Sequence, residues 1–239
     1  MRPRFVGRLG PADAMTIANA ALGFAAAVAA TITPSLGARL ILLAAGTDGL
    51  DGVIAERYGG TPVGEFLDSL ADVASFCVAP AVFVFSVARG EWHLTLTAAD
   101  PPLQLAAALV IPAIYVASGV ARLGMYTAYD IGSDSTEGVQ TTLAATLLAV
   151  VYLADLPDLV GFQLSQAGLL IALTAGFTYL MVTTIEYPDL KVSHVLGMAV
   201  IQLGAIIVPT AFNRLFPRVL LVMAVLYFIG PWFYRRYLV

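Results

Sequence analysis

Lysine is almost missing from this chain: Lys191 is the single one, against eleven arginines. Cysteine is equally scarce. Cys77 alone excludes an internal disulfide framework and a cysteine-built zinc site, and reads as small apolar packing on a helix. Charged residues of both signs make up only 12% of the chain, and no basic patch exists, which excludes a nucleic-acid-binding surface. Histidine occurs twice, as His93 in a loop and His194 at a helix start, and neither is assigned a catalytic role. No small-residue cleavage site follows the basic start MRPRFVGRLG, so it reads as a cytoplasmic flank and not as a removed signal peptide.

What fills the space is apolar. Hydrophobic residues make up 59% of 239 and the mean hydropathy is +0.87, which places the chain in the polytopic membrane class. A membrane helix needs roughly 20 apolar residues. Eight stretches approach that length: 12–33, 37–57, 63–88, 103–126, 138–153, 163–184, 193–208 and 217–234. The expected fold is therefore all-α, a single bundle of about eight transmembrane helices over residues 1–239. With the amino terminus inside, Arg2, Arg4, Arg8, Arg57, Arg122, Lys191, Arg235 and Arg236 fall on the cytoplasmic side, and Arg39, Arg89, Arg214 and Arg218 outside. That orientation puts the turn 57–62 and the loops 126–137 and 186–191 at one cytoplasmic face. Trp232, Phe233, Tyr234 and Tyr237 read as an interfacial belt.

The few acids are not scattered. Asp48, Asp51, Asp68 and Asp72 lie inside or beside apolar runs, in the stretch DGLDGVIAERYGGTPVGEFLDSLAD. Asp48, Asp51 and Ala55 are spaced i, i+3, i+7 and share one helix face, with Gly52 beside it. Gly64, Asp68 and Asp72 are spaced i, i+4, i+8 and share a face of the next helix. The polar, glycine-rich break 58–62 between them predicts a helical hairpin that turns all four carboxylates toward one spot. Four close anions repel unless something positive sits among them. Carboxylate oxygens are hard ligands, suited to Mg²⁺, Mn²⁺ or Ca²⁺, and four of them suit two ions better than one. Thr16 and Asn19, polar in the first apolar helix, serve either as helix-to-helix hydrogen bonds or as a wall of this site.

This stretch resembles the CDP-alcohol phosphatidyltransferase motif, D-x2-D-G-x2-A-R-x8-G-x3-D-x3-D. Asp48, Asp51, Gly52, Ala55, Gly64, Asp68 and Asp72 match it. Glu56 stands where the family has arginine, and the spacer that follows is one residue short. Arg57 then takes the arginine's role after a one-residue shift. Elsewhere, 117–123, 137–145 and 181–191 resemble, in order, segments of integral-membrane phosphatidylserine synthases, with both prolines of the middle segment missing. The lysine-poor composition is most similar to archaeal members, the archaetidylserine synthases, whose lipid is ether-linked.

The resemblance implies the chemistry. Serine's hydroxyl attacks the β-phosphorus of a CDP-linked lipid and CMP leaves, with Mg²⁺ or Mn²⁺, two ions, clamping the diphosphate. It implies Asp48, Asp51, Asp68 and Asp72 as metal ligands, with Asp72 also accepting the serine proton. Gly52, Ala55, Arg57, Thr61, Gly64 and Asn19 then form the CDP-lipid site. Ser118 and Arg122 are assigned to the acceptor, although Arg122 can equally snorkel to lipid headgroups. A homodimer in the cell membrane is expected. Glycerol phosphate or inositol phosphate are the alternative acceptors, disfavoured by the shortage of basic residues. A divalent-cation transporter is the non-enzyme alternative, disfavoured because the motif has no second copy.

Overall fold

The computed structural model describes residues 8–130, 135–160, 165–188 and 192–237. Arg2, Arg4 and Lys191 lie outside the described residues, and the side chains of Glu56, His194, Trp232, Phe233, Tyr234, Arg235, Arg236 and Tyr237 are likewise not described.

Eight long helices appear where the apolar runs predict them, and α6 is a ninth, one-turn piece among the described residues. They are α1 (Pro11–Ile32), α2 (Pro34–Tyr58), α3 (Gly64–Glu91), α4 (Pro102–Met125), α5 (Thr141–Ala154), α6 (Leu156–Val160), α7 (Gln166–Leu180), α8 (Val192–Ile207) and α9 (Ala211–Tyr237). Prolines open several of them. Pro11, Pro34 and Pro102 each occupy a first-turn position, where the missing amide would have no partner. Among the described residues, four helices, α1, α3, α4 and α9, are long and apolar enough to cross a membrane. The apolar α5 and α7 are shorter, at 14 and 15 residues.

α5 is the centre of the bundle. Eleven of its side chains are buried, from Thr141 to Ala154, which is why it is hydrophobic all round. α1 and α2 form a hairpin around Thr33 and cross closely: a Cβ on Gly37 would come within 2.6 Å of the Ala30 Cβ. The first turn of α9 is irregular. Phe212, Asn213 and Arg214 hold φ of 49°, 54° and 60°, so the chain changes direction before the regular helix begins near Pro217.

Among the described residues, a strand pair and two π-helical turns depart from a plain all-α bundle. Ser135–Glu137 (β1) pairs antiparallel with Glu186–Pro188 (β2), in the register Thr136 to Tyr187. These short strands join the two loops that the arginine pattern assigns to one face. Gly138 makes the turn out of β1 possible. Its φ is +75°, its amide donates to the Ile185 carbonyl at 2.8 Å, and a Cβ there would collide with the Met181 carbonyl. That turn is why α5 starts at Thr141 and not at Gly138. Of the π-helical turns, one follows α4 over Tyr126–Asp130, and the other lies within α3, which widens over Val73–Val78.

Candidate active site

α1 carries a polar seam along one face, and the seam bonds to Asp48, Asp51 and Thr61 of the aspartate stretch. At its first turn Asp13 is buried and accepts the Thr61 hydroxyl, at 2.9 and 3.0 Å to its two oxygens, and the Gly10 amide at 2.7 Å. One turn on, the Thr16 hydroxyl donates to Asp51 Oδ2 at 2.7 Å. Next, Asn19 Nδ2 donates to Asp48 Oδ1 at 3.3 Å. The Asn19 carbonyl in turn accepts the Ser75 hydroxyl from α3 at 2.8 Å. Both side chains bond from α1 to carboxylates of α2, so the same bonds tie the two helices together and line the aspartate group.

α2 delivers Asp48 and Asp51 near its C-terminal end, and α3 delivers Asp68 and Asp72 near its start. One oxygen each of Asp48, Asp68 and Asp72 lies within 4.8 Å of the others. Asp51 is not in that tight group; it is buried and turned to Thr16. Thr142, at the start of α5, donates to Asp48 Oδ2 at 3.5 Å and closes the site from below. Asp72 is 8% exposed, and its Oδ1 has no hydrogen-bond partner; neither has Oδ1 of the fully buried Asn19. Buried acceptors left bare cost free energy, so both are sites where a positive group would be stabilising. All the donor atoms are hard oxygens, and a hard divalent cation fits them.

The other predicted residues fall around this centre. Gly52 is exposed, and a Cβ on it would meet nothing within 4 Å. The open space beside it suits the approach of a ligand. Ala55 lies one turn further along α2. Arg57 is exposed, with its guanidinium 5.7 Å from the centre of the Tyr58 ring. Gly64 sits against Asp13, where a Cβ would be 3.3 Å from Oδ1. Ser118 is half-buried on α4. Arg122, on the same helix, is buried, lies over the Tyr126 ring at 6.0 Å and is within Coulombic range of Asp72. Cys77 is buried, as its apolar reading requires.

Asp13 escaped the sequence reading. Its signal was an acid in the first turn of an apolar helix, two residues after Pro11, where it serves the helix N-terminus as well as the site. A separate cavity of about 400 Å³ lies at the far end of the bundle, lined by Glu91, Tyr152, Asp155, Gln166 and Arg214 among others. Its charged side chains have partners: Arg214 pairs with Asp155 at 3.1 Å, and Glu91 accepts the Ala167 amide at 2.8 Å.

Comparison with known proteins bears on what this geometry does. The sequence profile of the family described as CDP-alcohol phosphatidyltransferase matches residues 10–185, a span that holds every carboxylate described above. The chain is also 32% identical over 181 residues to the archaetidylserine synthase of Methanothermobacter thermautotrophicus (strain Delta H). That alignment covers 74% of this chain and 68% of the relative.

Proposed function

Because the chain belongs to the CDP-alcohol phosphatidyltransferase family, we propose that it joins L-serine to the archaetidyl or phosphatidyl group of a CDP-lipid and releases CMP. The observation that carries this reading is the convergence of Asp48, Asp68 and Asp72 within 4.8 Å, inside the family-matched span. The serine acceptor draws support from the name of the Methanothermobacter relative. It draws further support from the poverty of cations near the site, where a phosphorylated alcohol would need several.

In the reaction, the serine oxygen bonds to the lipid-side phosphorus of the diphosphate. The bond from that phosphorus to the CMP oxygen breaks. Asp48, Asp68 and Asp72, with Asp51 beside them, would hold two divalent ions, Mg²⁺ or Mn²⁺. When bound, such ions neutralise the diphosphate as charge develops on the leaving oxygen. Asp72 is the group assigned to accept the serine hydroxyl proton. Gly52 leaves room for the nucleotide beside Ala55, and Thr61 and Gly64 flank it from the α2–α3 turn. Arg57 pairs with a donor phosphate in place of the arginine that Glu56 displaces. Arg122 and Ser118 receive the acceptor, with the guanidinium facing the serine carboxylate.

This reading makes the chain one multi-pass domain of the cell membrane, with the aspartates at the cytoplasmic end and a second copy as partner. The test is CMP release by purified protein given CDP-archaeol, L-serine and Mn²⁺ or Mg²⁺. Release that requires both serine and metal is expected. Mg²⁺ entry into protein-loaded vesicles, with no CMP formed from CDP-lipid, would instead favour a transporter.

A further inference from the structure

The π-helical segment Val73–Val78 begins at the residue after Asp72. A π-turn holds more residues than an α-turn and bonds i to i+5, as the Ala79 amide does to the Ala74 carbonyl. One α-helical residue corresponds to about 100° of rotation. An extra residue in the turn therefore resets the direction of everything before it relative to everything after it. Before it stand Asp68 and Asp72; after it stands the half of α3 that packs in the core.

Neighbours grip this segment from both sides. On the α4 side the fully buried Tyr115 donates its hydroxyl to the Phe76 carbonyl at 2.9 Å. One turn further along α4, a Cβ on Gly119 would collide with Cys77 Sγ. On the α1 side the Ser75 hydroxyl bonds to the Asn19 carbonyl, and a Cβ on Gly23 would stand 2.7 Å from the Ser75 Cα. The two glycines accept Ser75 and Cys77 and nothing larger. A slip to the ordinary α register would rotate those two away and carry bulkier neighbours, Phe76 foremost, into the same places.

We propose that Tyr115 is a positioning residue: by bonding to the Phe76 carbonyl it holds the widened turn of α3, and that turn aims Asp68 and Asp72 at Asp48. Ser75 holds the same turn from the α1 side. The Tyr115 hydroxyl touches neither substrate nor the carboxylates and acts through the backbone. The inference rests on the reading of the aspartates as a divalent-metal site.

The experiment is Mn²⁺ binding to the purified full-length chain, followed by the electron paramagnetic resonance of free Mn²⁺, with Tm recorded beside it. The variants are Tyr115→Phe, Ser75→Ala and Asp68→Asn. Loss of one hydrogen bond is expected to weaken Mn²⁺ binding roughly fivefold in Tyr115→Phe. Ser75→Ala, which keeps the shape, is expected to do the same in a chain that still folds should Tyr115→Phe not. A residue that only stabilises the fold would lower Tm and leave Mn²⁺ affinity unchanged. Wild-type Mn²⁺ affinity in either folded variant overturns the proposal, provided Asp68→Asn abolishes binding. Unchanged binding in Asp68→Asn would overturn the metal-site reading itself.

Discussion

The four motif aspartates are not interchangeable. Asp48, Asp68 and Asp72 form the tight group, while Asp51 spends one oxygen on Thr16. A ligand and a base should also fail differently. Asp68→Asn is expected to abolish CMP release through lost metal and donor binding. Asp72→Asn keeps size and hydrogen bonding but cannot accept a proton, so kcat should fall by about 10²- to 10⁴-fold at nearly unchanged donor affinity. Turnover and CDP-lipid binding measured side by side check this; near-normal kcat with collapsed binding would make Asp72 a ligand only. A second contrast concerns the displaced arginine. Arg57→Ala should raise KM for the CDP-lipid and Glu56→Ala should do little, read from steady-state kinetics with varied donor. The aspartates were legible because spacing on a helix fixes which side chains share a face. Asp13 was not, because a lone acid at a helix start has an ordinary capping explanation that needs no site.

Among the elements, long apolar runs announced themselves and breaks in register did not. All eight long helices follow from hydropathy, since burial in lipid or core demands continuous apolar sequence. The π segment of α3 left no sign, because VASFCV is as apolar as an α-helix there would be, and the cause of the widening lies in Gly23, Tyr115 and Gly119 on other helices. The β1–β2 ribbon was hidden for the same reason: three residues in each of two distant loops are paired only by the fold. Its glycine offers a test at this scale. Gly138→Ala puts a Cβ at positive φ and against the Met181 carbonyl, a strain of about 1–3 kcal/mol. Tm should drop by roughly 5 °C in a thermal scan, and activity should fall with it if the ribbon holds α5 and Thr142 against Asp48.

For the whole molecule, the aspartate site and the Arg214–Asp155 pair stand at opposite ends of the bundle. From Ser35 to Asp48 along α2 is 13 residues, or about 20 Å at the helical rise. From the arginine count we propose that the aspartate end faces the cytoplasm. Cys77 is buried, so a single introduced cysteine can report sidedness. Gly60→Cys should react with an impermeant thiol reagent only in opened cells, and Thr95→Cys in intact ones. The reverse pattern would invert the orientation. Acceptor choice is the least legible property, because the aspartate spacing that marks the family does not encode it. The most direct measurement is therefore incorporation of carbon-labelled L-serine into extractable lipid, with CDP-archaeol and Mn²⁺, compared with labelled glycerol phosphate and inositol phosphate. The account predicts label in lipid from serine alone, mole for mole with CMP released, and none in Asp68→Asn. Label from a phosphorylated acceptor with none from serine would contradict it.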